Sequence, residues 1–174
     1  MRSRRRPGIG ALVLLGVAVG LLVFRGDGDE PSDEPAPTPS GARAKAEVTR
    51  VVDGDTIEVS LDGRAEDVRY IGVDTPESVT PGEPVECFGR RASAFNERLV
   101  AGKEVELSFD EELRDRYGRL LAYVRVGNRL VNAELLRGGF ARTLTIPPND
   151  SRAAPFTRLE AAAGRAGRGW WGAC

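Results

Sequence analysis

The chain has 174 residues, of which 25 are basic, 26 are acidic and none is histidine, and its formal net charge is −1. This length suits one ordinary domain with short extensions, and the near-neutral charge excludes a generally basic nucleic-acid-binding protein. The absence of histidine excludes Ser-His and Cys-His nucleophilic systems and the usual His-rich zinc sites. A general base in this protein must therefore be Glu, Asp, Lys, Tyr or Cys.

Residues 1–24 have the pattern of a targeting segment. Four arginines close to the start precede an uncharged, apolar run from Pro7 to Phe24. A basic end followed by an apolar stretch enters a membrane with its basic end on the cytoplasmic side. Because the run approaches the ~17–25 residues of a spanning helix, we expect an uncleaved signal anchor rather than a cleaved signal peptide. Either form makes the rest of the chain extracytoplasmic, anchored to the membrane or secreted.

Residues 25–44 are predicted to be a disordered linker. Five acidic residues alternate there with four prolines and with serine and glycine, a composition that cannot bury a core. The folded domain is then expected over residues 45–174, which carry 19 basic and 21 acidic side chains, a net charge of −2. If this domain acts on nucleic acid, its positive potential must be concentrated at a site.

From about residue 45 the pattern changes to short strands and amphipathic helices. Apolar alternation and turn dipeptides indicate the strands, and helical spacing with flanking glycines indicates the helices. The predicted elements are strands over 46–52, 56–61, 68–73, 105–109 and 120–126 and helices over 92–100, 131–137 and 152–164. This order suits an α+β fold, a small five-stranded barrel with about three helices around it. Such barrels often bind nucleic acid on one face.

Two short segments about twenty residues apart carry the chemistry. The first contains the sequence Asp-Gly-Asp-Thr at 53–56, and the second ends in Asp-Thr-Pro-Glu at 74–77. Carboxylates can hold a hard cation, a glutamate can act as a base, and an arginine can grip a phosphate. This combination is typical of phosphodiester chemistry. The residues that supply it are Asp55, Asp74, Glu77 and Arg69.

Two later segments follow these motifs in the order and spacing of a known family. They are Asp-Arg-Tyr-Gly-Arg-Leu-Leu-Ala-Tyr at 115–123 and Leu-Val-Asn-Ala-Glu-Leu-Leu-Arg-Gly-Gly-Phe-Ala at 130–141. With them the chain resembles the staphylococcal nuclease (thermonuclease) family over residues 45–172. The resemblance implies an OB-type β-barrel with three helices. It also implies calcium-dependent hydrolysis of DNA and RNA that leaves 3′-phosphates, by a nuclease domain that we expect to be monomeric.

The resemblance also implies roles for six residues. Asp55 and Asp74 resemble the family's Ca²⁺-binding carboxylates, and the main-chain carbonyl of Thr75 resembles a further ligand. The other three are the expected catalytic residues, a general base and two phosphate-contacting arginines: Glu77, Arg69 and Arg119. A salt bridge from Arg69 to either aspartate is compatible with this assignment, because a metal-free site needs its charges balanced.

One departure from the family concerns the nucleotide base. The best-known members carry tyrosines that flank the base, whereas residues 142–150 of this chain contain no aromatic residue. Stacking is worth about 1–3 kcal/mol per base, so we expect weaker mononucleotide binding and an altered base preference, with catalysis retained. Tyr117 remains open as a stacking residue or as a core or rim residue, and Asp115 and Arg116 are expected to be solvated loop charges rather than catalysts.

Cys87 and Cys174 are the two cysteines of the chain. In an exported domain an even pair indicates one disulfide, which would close a loop of nearly ninety residues. The alternative is two unpaired thiols.

Two other functions stay open at this point. One is a nucleic-acid or protein scaffold with a degenerate site, and the other is a surface protein that binds calcium only for stability. A pure scaffold has no reason to keep Glu77, Arg69 and Arg119 together with both aspartates. Calcium binding alone needs neither the glutamate nor the arginines.

Overall fold

The computed structural model describes residues 41–78 and 85–174 of the chain. The strands are β1 (Arg43–Val51), β2 (Thr56–Leu61), β3 (Arg64–Tyr70), β4 (Gly72–Asp74), β5 (Glu104–Ser108), β6 (Leu120–Val126), β7 (Arg129–Leu130) and β8 (Arg142–Leu144). The helices are α1 (Gly89–Val100), α2 (Val131–Gly138), α3 (Ala153–Arg165) and α4 (Trp170–Ala173). None of the helices in these ranges has the length and apolar character needed to cross a membrane.

The N-terminal predictions fall largely outside the described residues. These are the signal anchor or signal peptide over 1–24 and the linker as far as residue 40. Strand β1 begins at Arg43, two residues before the expected start of the folded domain.

Five strands close into a barrel. They lie in the order β3-β2-β1-β5-β6, and β3 then pairs in parallel with β6, where Arg69 lies opposite Leu121. Strand β7 only extends this sheet beside β6. The predicted five-stranded barrel with three helices is therefore confirmed. Helix α4 and strands β7 and β8 were not predicted.

The predicted strand over 68–73 is in fact two strands. The chain leaves the barrel after Tyr70, and β4 pairs with β8 instead. Gly72 makes this turn possible, because its φ of +78° is unfavourable for other residues and a Cβ there would lie 2.8 Å from the ring of Phe156. The break carries Asp74 away from the barrel wall, so its position depends on β8.

The barrel interior is filled by apolar side chains that alternate along the strands. Ile57, Val59 and Val68 are fully buried, and Leu135 and Leu136 of α2 are equally inaccessible to solvent. Burying such a side chain stabilises the fold by about 1.5–3 kcal/mol relative to leaving it exposed.

Asn132 fastens α2 to the barrel. Its side chain is fully buried, its Nδ2 donates to the carbonyl oxygen of Ile71 at 2.9 Å, and its Oδ1 accepts from the amide of Val124 at 2.9 Å. One side chain therefore satisfies a carbonyl at the β3–β4 break and an amide of β6.

The C-terminus is fixed at two points. The amide of Trp170 donates to the carbonyl of Gly139 at 3.0 Å. Cys174 forms a disulfide with Cys87, with their Cα atoms 6.1 Å apart.

We expect Asn132→Ala to lower the free energy of unfolding by roughly 2–4 kcal/mol, because it leaves the Val124 amide and the Ile71 carbonyl buried without partners. Urea denaturation with fitted m-values measures this change. Asn128→Ala, in the exposed turn after β6, is the matched control and should change stability by no more than about 0.5 kcal/mol. Equal losses in the two variants would contradict the role given to Asn132.

Candidate active site

The carboxylate of Asp55 joins the two motif segments. Asp55 is 4% exposed, and its Oδ2 accepts hydrogen bonds from the amide of Thr75 at 2.8 Å and from its hydroxyl at 3.1 Å. The approach is so close that a Cβ at Gly54 would lie 2.5 Å from Oγ1 of Thr75. A glycine is therefore needed at position 54 to bring the β1–β2 turn against the segment that follows β4.

Arg69 neutralises the two expected metal-binding carboxylates. Its side chain projects from β3 and is 15% exposed. Nη1 pairs with Oδ1 of Asp55, and Nη2 lies 2.9 Å from Oδ1 of Asp74. Because Asp55 is deeply buried, loss of this pairing would leave an uncompensated group in a poorly solvated position. The salt bridge expected for Arg69 is present, with both aspartates.

The cluster carries more carboxylates than Arg69 can neutralise. Burial, together with the nearby Asp55 carboxylate, raises the pKa of Asp53 to about 6. Burial also raises the pKa of Asp74 above its ordinary value, although Arg69 opposes the shift. A bound cation would reverse both effects by favouring the ionised forms.

Asn96 supports the turn that carries Asp55. It is fully buried on α1, its Nδ2 donates to the carbonyl of Asp53 at 2.9 Å, and its Oδ1 accepts from the hydroxyl of Tyr70 at 3.0 Å. Sequence reasoning missed this residue. The available signal was an amide side chain within the predicted helix 92–100, close to its apolar positions.

Arg119 is held by Asp115. Oδ2 of Asp115 accepts from Nε of Arg119 at 2.8 Å and lies 2.7 Å from its Nη2, while Oδ1 accepts from the amides of Tyr117 and Arg119. Although burial acts against ionisation, these hydrogen bonds lower the pKa of Asp115. The prediction that Asp115 is a solvated loop charge is therefore wrong. The missed signal is its position at the start of the Asp-Arg-Tyr-Gly turn, where an Asp side chain commonly binds nearby amides.

Glu77 lies at the end of the second motif segment and is partly buried. Its Oε1 accepts from the amide of Ser78 at 2.7 Å. Its own amide donates to Oε2 of Glu86 at 2.9 Å, and its carbonyl accepts from the amide of Glu86 at 2.9 Å. Glu86 is a second residue that sequence reasoning missed, because nothing in the spacing links it to Glu77.

One polar cleft of about 100 Å³ brings the expected site together. All six residues expected to bind metal or phosphate, or to act as the base, line it: Asp55, Arg69, Asp74, Thr75, Glu77 and Arg119. Cys87 and Cys174 do not line this cleft; they belong to the disulfide described above.

A larger cavity of about 500 Å³ adjoins the cleft and shares Arg69 and Arg119 with it. Its walls include Tyr117, which is 68% exposed, and two aliphatic side chains, Leu144 and Ile146. These aliphatic residues belong to the segment in which the sequence lacks aromatic residues. Tyr117 therefore offers a ring to a base here, whereas Leu144 and Ile146 offer only aliphatic groups.

The donor set fits a hard cation that keeps several waters. In the described part of the chain, no three Asp, Glu or Cys side chains converge as a ready-made ligand set. Asp55 and Asp74 provide two carboxylates, and the Thr75 carbonyl can provide a third oxygen. Ca²⁺ takes 6–8 oxygen ligands in irregular arrangements and accepts water among them, so a partial protein shell of this kind suits it.

Comparison with known proteins places this architecture in a family. Residues 67–173 match the family model described as staphylococcal nuclease homologue. The chain is 41% identical to a thermonuclease of Staphylococcus intermedius over 140 residues, which is 80% of this chain and 82% of that protein. It is 47% identical to a thermonuclease of Staphylococcus hyicus over 59% of this chain, and spans 60% of that relative. An endonuclease of Bacillus subtilis (strain 168) is 38% identical over 74% of this chain and 64% of its own length. Together with the closed barrel and its polar cleft, these matches show that the chain belongs to the staphylococcal nuclease family.

Proposed function

We propose that this protein is an endonuclease that hydrolyses phosphodiester bonds of DNA, and of RNA, and leaves 3′-phosphates. The observation that carries the proposal is the convergence of Glu77, Arg69 and Arg119 with two aspartates in one cleft. Family membership makes the chain a hydrolase of the endonuclease class, as the thermonucleases and the endonuclease among its relatives indicate. A scaffold protein would need neither the glutamate nor the paired arginines.

In the proposed reaction, Glu77 acts on water. Its carboxylate accepts a proton as the water oxygen bonds to phosphorus, and the bond from phosphorus to the 5′-oxygen breaks on the opposite side. The phosphate remains on the 3′-oxygen, the departing 5′-oxygen takes a proton from solvent water, and Glu77 then releases its proton to solvent. The carboxylate's hydrogen bond from Ser78 holds it in a fixed orientation during this step.

The two arginines stabilise the charge that develops on the phosphate oxygens. Asp115 binds Arg119 through Nε and Nη2, so the two N–H groups of Nη1 and the second N–H of Nη2 are left to donate to phosphate. Preorganised donors of this kind contribute about 3–4 kcal/mol each, by analogy with oxyanion holes. Because Asp115 already orients Arg119, little side-chain freedom is lost when the substrate binds.

We assign the cation position to Asp55, Asp74 and the Thr75 carbonyl, and we propose Ca²⁺ as the ion. When bound, it would neutralise a phosphate oxygen and orient the substrate. Burial and the nearby Asp55 carboxylate raise the pKa values of Asp53 and Asp74, and a bound cation would favour the ionised form of each, which supports this assignment.

We further propose that the nuclease acts outside the cytoplasm as a monomer. The basic and apolar pattern of residues 1–24 supports export, either as a membrane anchor or as a cleaved signal peptide. The disulfide between Cys87 and Cys174 suits an oxidising compartment.

Glu77→Gln should lower turnover of plasmid DNA by about 10²–10⁴-fold, because the amide cannot accept the proton of the attacking water. Calcium binding, followed by calorimetry, should persist. Glu97→Gln, an exposed residue of α1, is the matched control and should leave turnover unchanged. Undiminished cutting by the Glu77 variant would remove this residue as the base.

Chelation should abolish cutting of plasmid and denatured DNA, and added Ca²⁺ should restore it. Asp74→Asn should raise the calcium concentration needed for half-maximal activity, because the amide is a weaker ligand than the carboxylate. Asp67→Asn, exposed on β3, should not alter it. Cutting that survives chelation would refute the metal assignment.

Ile146→Tyr should tighten binding of a nucleoside 3′,5′-bisphosphate by about 1 kcal/mol, or roughly fivefold, because a ring in this wall can stack on the base. Ile146→Leu provides the aliphatic control. Inhibition constants of the nucleotide, measured on each variant with the Cys87–Cys174 disulfide intact, give the difference in affinity. If the wild type already binds such nucleotides as tightly as the tyrosine variant, the cavity wall does not limit base stacking.

A further inference from the structure

The main chain of Glu77 is clamped by the segment that precedes α1. Glu86 both accepts from the Glu77 amide and donates to the Glu77 carbonyl, each at 2.9 Å. Gly89, the first residue of α1, packs so closely that a Cβ there would overlap the same carbonyl oxygen. The orientation of the Glu77 side chain therefore depends on where residues 86–89 lie.

This clamping segment, residues 86–89, is itself held by the C-terminus. Cys87 follows Glu86 directly and is bonded to Cys174. The amide of Cys174 donates to the carbonyl of Trp170 at 2.9 Å, and the Trp170 amide in turn donates to Gly139 at 3.0 Å. A covalent and hydrogen-bonded path thus runs from the α2 terminus to the residue beside Glu86.

Phe88 shows that the clamping segment is held against its local preference. Its φ is +74°, a left-handed conformation that is uncommon for a residue other than glycine. The ring lies on Phe140, with centroids 5.4 Å apart. The ring contact and the Glu86 hydrogen bonds hold the segment locally, whereas the disulfide ties it to the C-terminus, so opening the disulfide removes its covalent link to the chain end.

Both cysteine residues of the bridge are exposed, which places the bridge at the surface of the protein. Accessible disulfides are the ones that commonly serve as labile or regulatory bonds. The bridge lies outside the catalytic cleft. It can therefore respond to the redox potential of its surroundings without contacting the substrate.

We propose that the Cys87–Cys174 disulfide is a redox switch that sets the position of Glu77 through Glu86. A dithiol reductant supplies two electrons and two protons. The S–S bond breaks, two cysteine thiols form, and the dithiol becomes a disulfide. The bridged protein is the active nuclease, and the reduced protein is impaired because the clamping segment no longer fixes its base. The inference rests on the proposed role of Glu77, and Glu86 is a positioning residue in it.

The first test compares the full chain, purified in detergent, in its oxidised form and after treatment with dithiothreitol. We expect kcat on DNA to fall at least tenfold on reduction, with KM changed by less than about twofold, and reoxidation to restore kcat. The double variant Cys87→Ser/Cys174→Ser should be as slow as the reduced protein and insensitive to dithiothreitol. Circular dichroism at the assay temperature checks that each form is folded. An unchanged kcat after complete reduction would overturn the proposal.

The second test separates a positioning role from general stability. In the Glu77→Gln background, reduction should leave the residual rate within about twofold, since the residue on which the switch acts has been removed. If reduction lowers that residual rate by the same factor as in the wild type, the bridge acts only on overall structure and the proposal fails.

The third test leaves the disulfide intact. Glu86→Ala removes the acceptor for the Glu77 amide and should lower kcat at least fivefold in the oxidised protein. Glu86→Gln keeps a carbonyl oxygen at this position and should recover much of the rate. Glu97→Ala is the control on α1. Equal kcat in wild type and Glu86→Ala would overturn the clamp. If the oxidised wild type cuts no DNA at all, the proposed nuclease function is wrong. If it cuts DNA but kcat does not respond to reduction, only the redox switch is wrong.

Discussion

The carboxylate of Asp55 is almost wholly removed from solvent, and its partners all come from the structure around the cleft. Thr75 donates to one oxygen through its amide and its hydroxyl, and Arg69 pairs with the other. Removing any partner would leave a buried polar group unsatisfied. The free energy of unfolding would fall by about 1–3 kcal/mol for a neutral group, and by more for a charged one. This constraint holds the β1–β2 turn, strand β3 and the segment after β4 in one arrangement. The rest of the cleft is built around it.

The same arrangement explains how a weakly acidic domain can act on a polyanion. Acidic side chains outnumber basic ones over residues 45–174, so there is no general attraction for nucleic acid. Positive charge is instead placed by specific pairing. Arg69 is fixed by two aspartates and Arg119 by Asp115. These pairs keep both guanidinium groups oriented, and in the proposed mechanism a cation bound to the carboxylates supplies the remaining positive charge.

The glutamate is supported in a different way. Asp55 and the arginines lie on or beside barrel strands, whereas Glu77 lies on the segment between β4 and α1. Its main chain is fixed by Glu86 and packs against Gly89, next to a disulfide that reaches the C-terminus. The part of the site that would bind cation and phosphate is thus anchored in the barrel. The part that would activate water is anchored in the helical layer and the chain end.

The sequence by itself determined the barrel, three of its helices and, through its motifs and the family resemblance that they carry, the six residues of the cleft. Alternation along β2 and β6, the Asp-Gly-Asp-Thr and Asp-Thr-Pro-Glu motifs, and the spacing to Arg119 can all be read without coordinates. Only the tertiary structure decided what holds those residues in place. Gly72 at the strand break packs against the ring of Phe156, Asn96 binds a turn more than forty positions earlier, and Glu86 hydrogen-bonds to Glu77. These contacts come from how the elements pack, and they use side chains that are common throughout the chain, so no local pattern marks them.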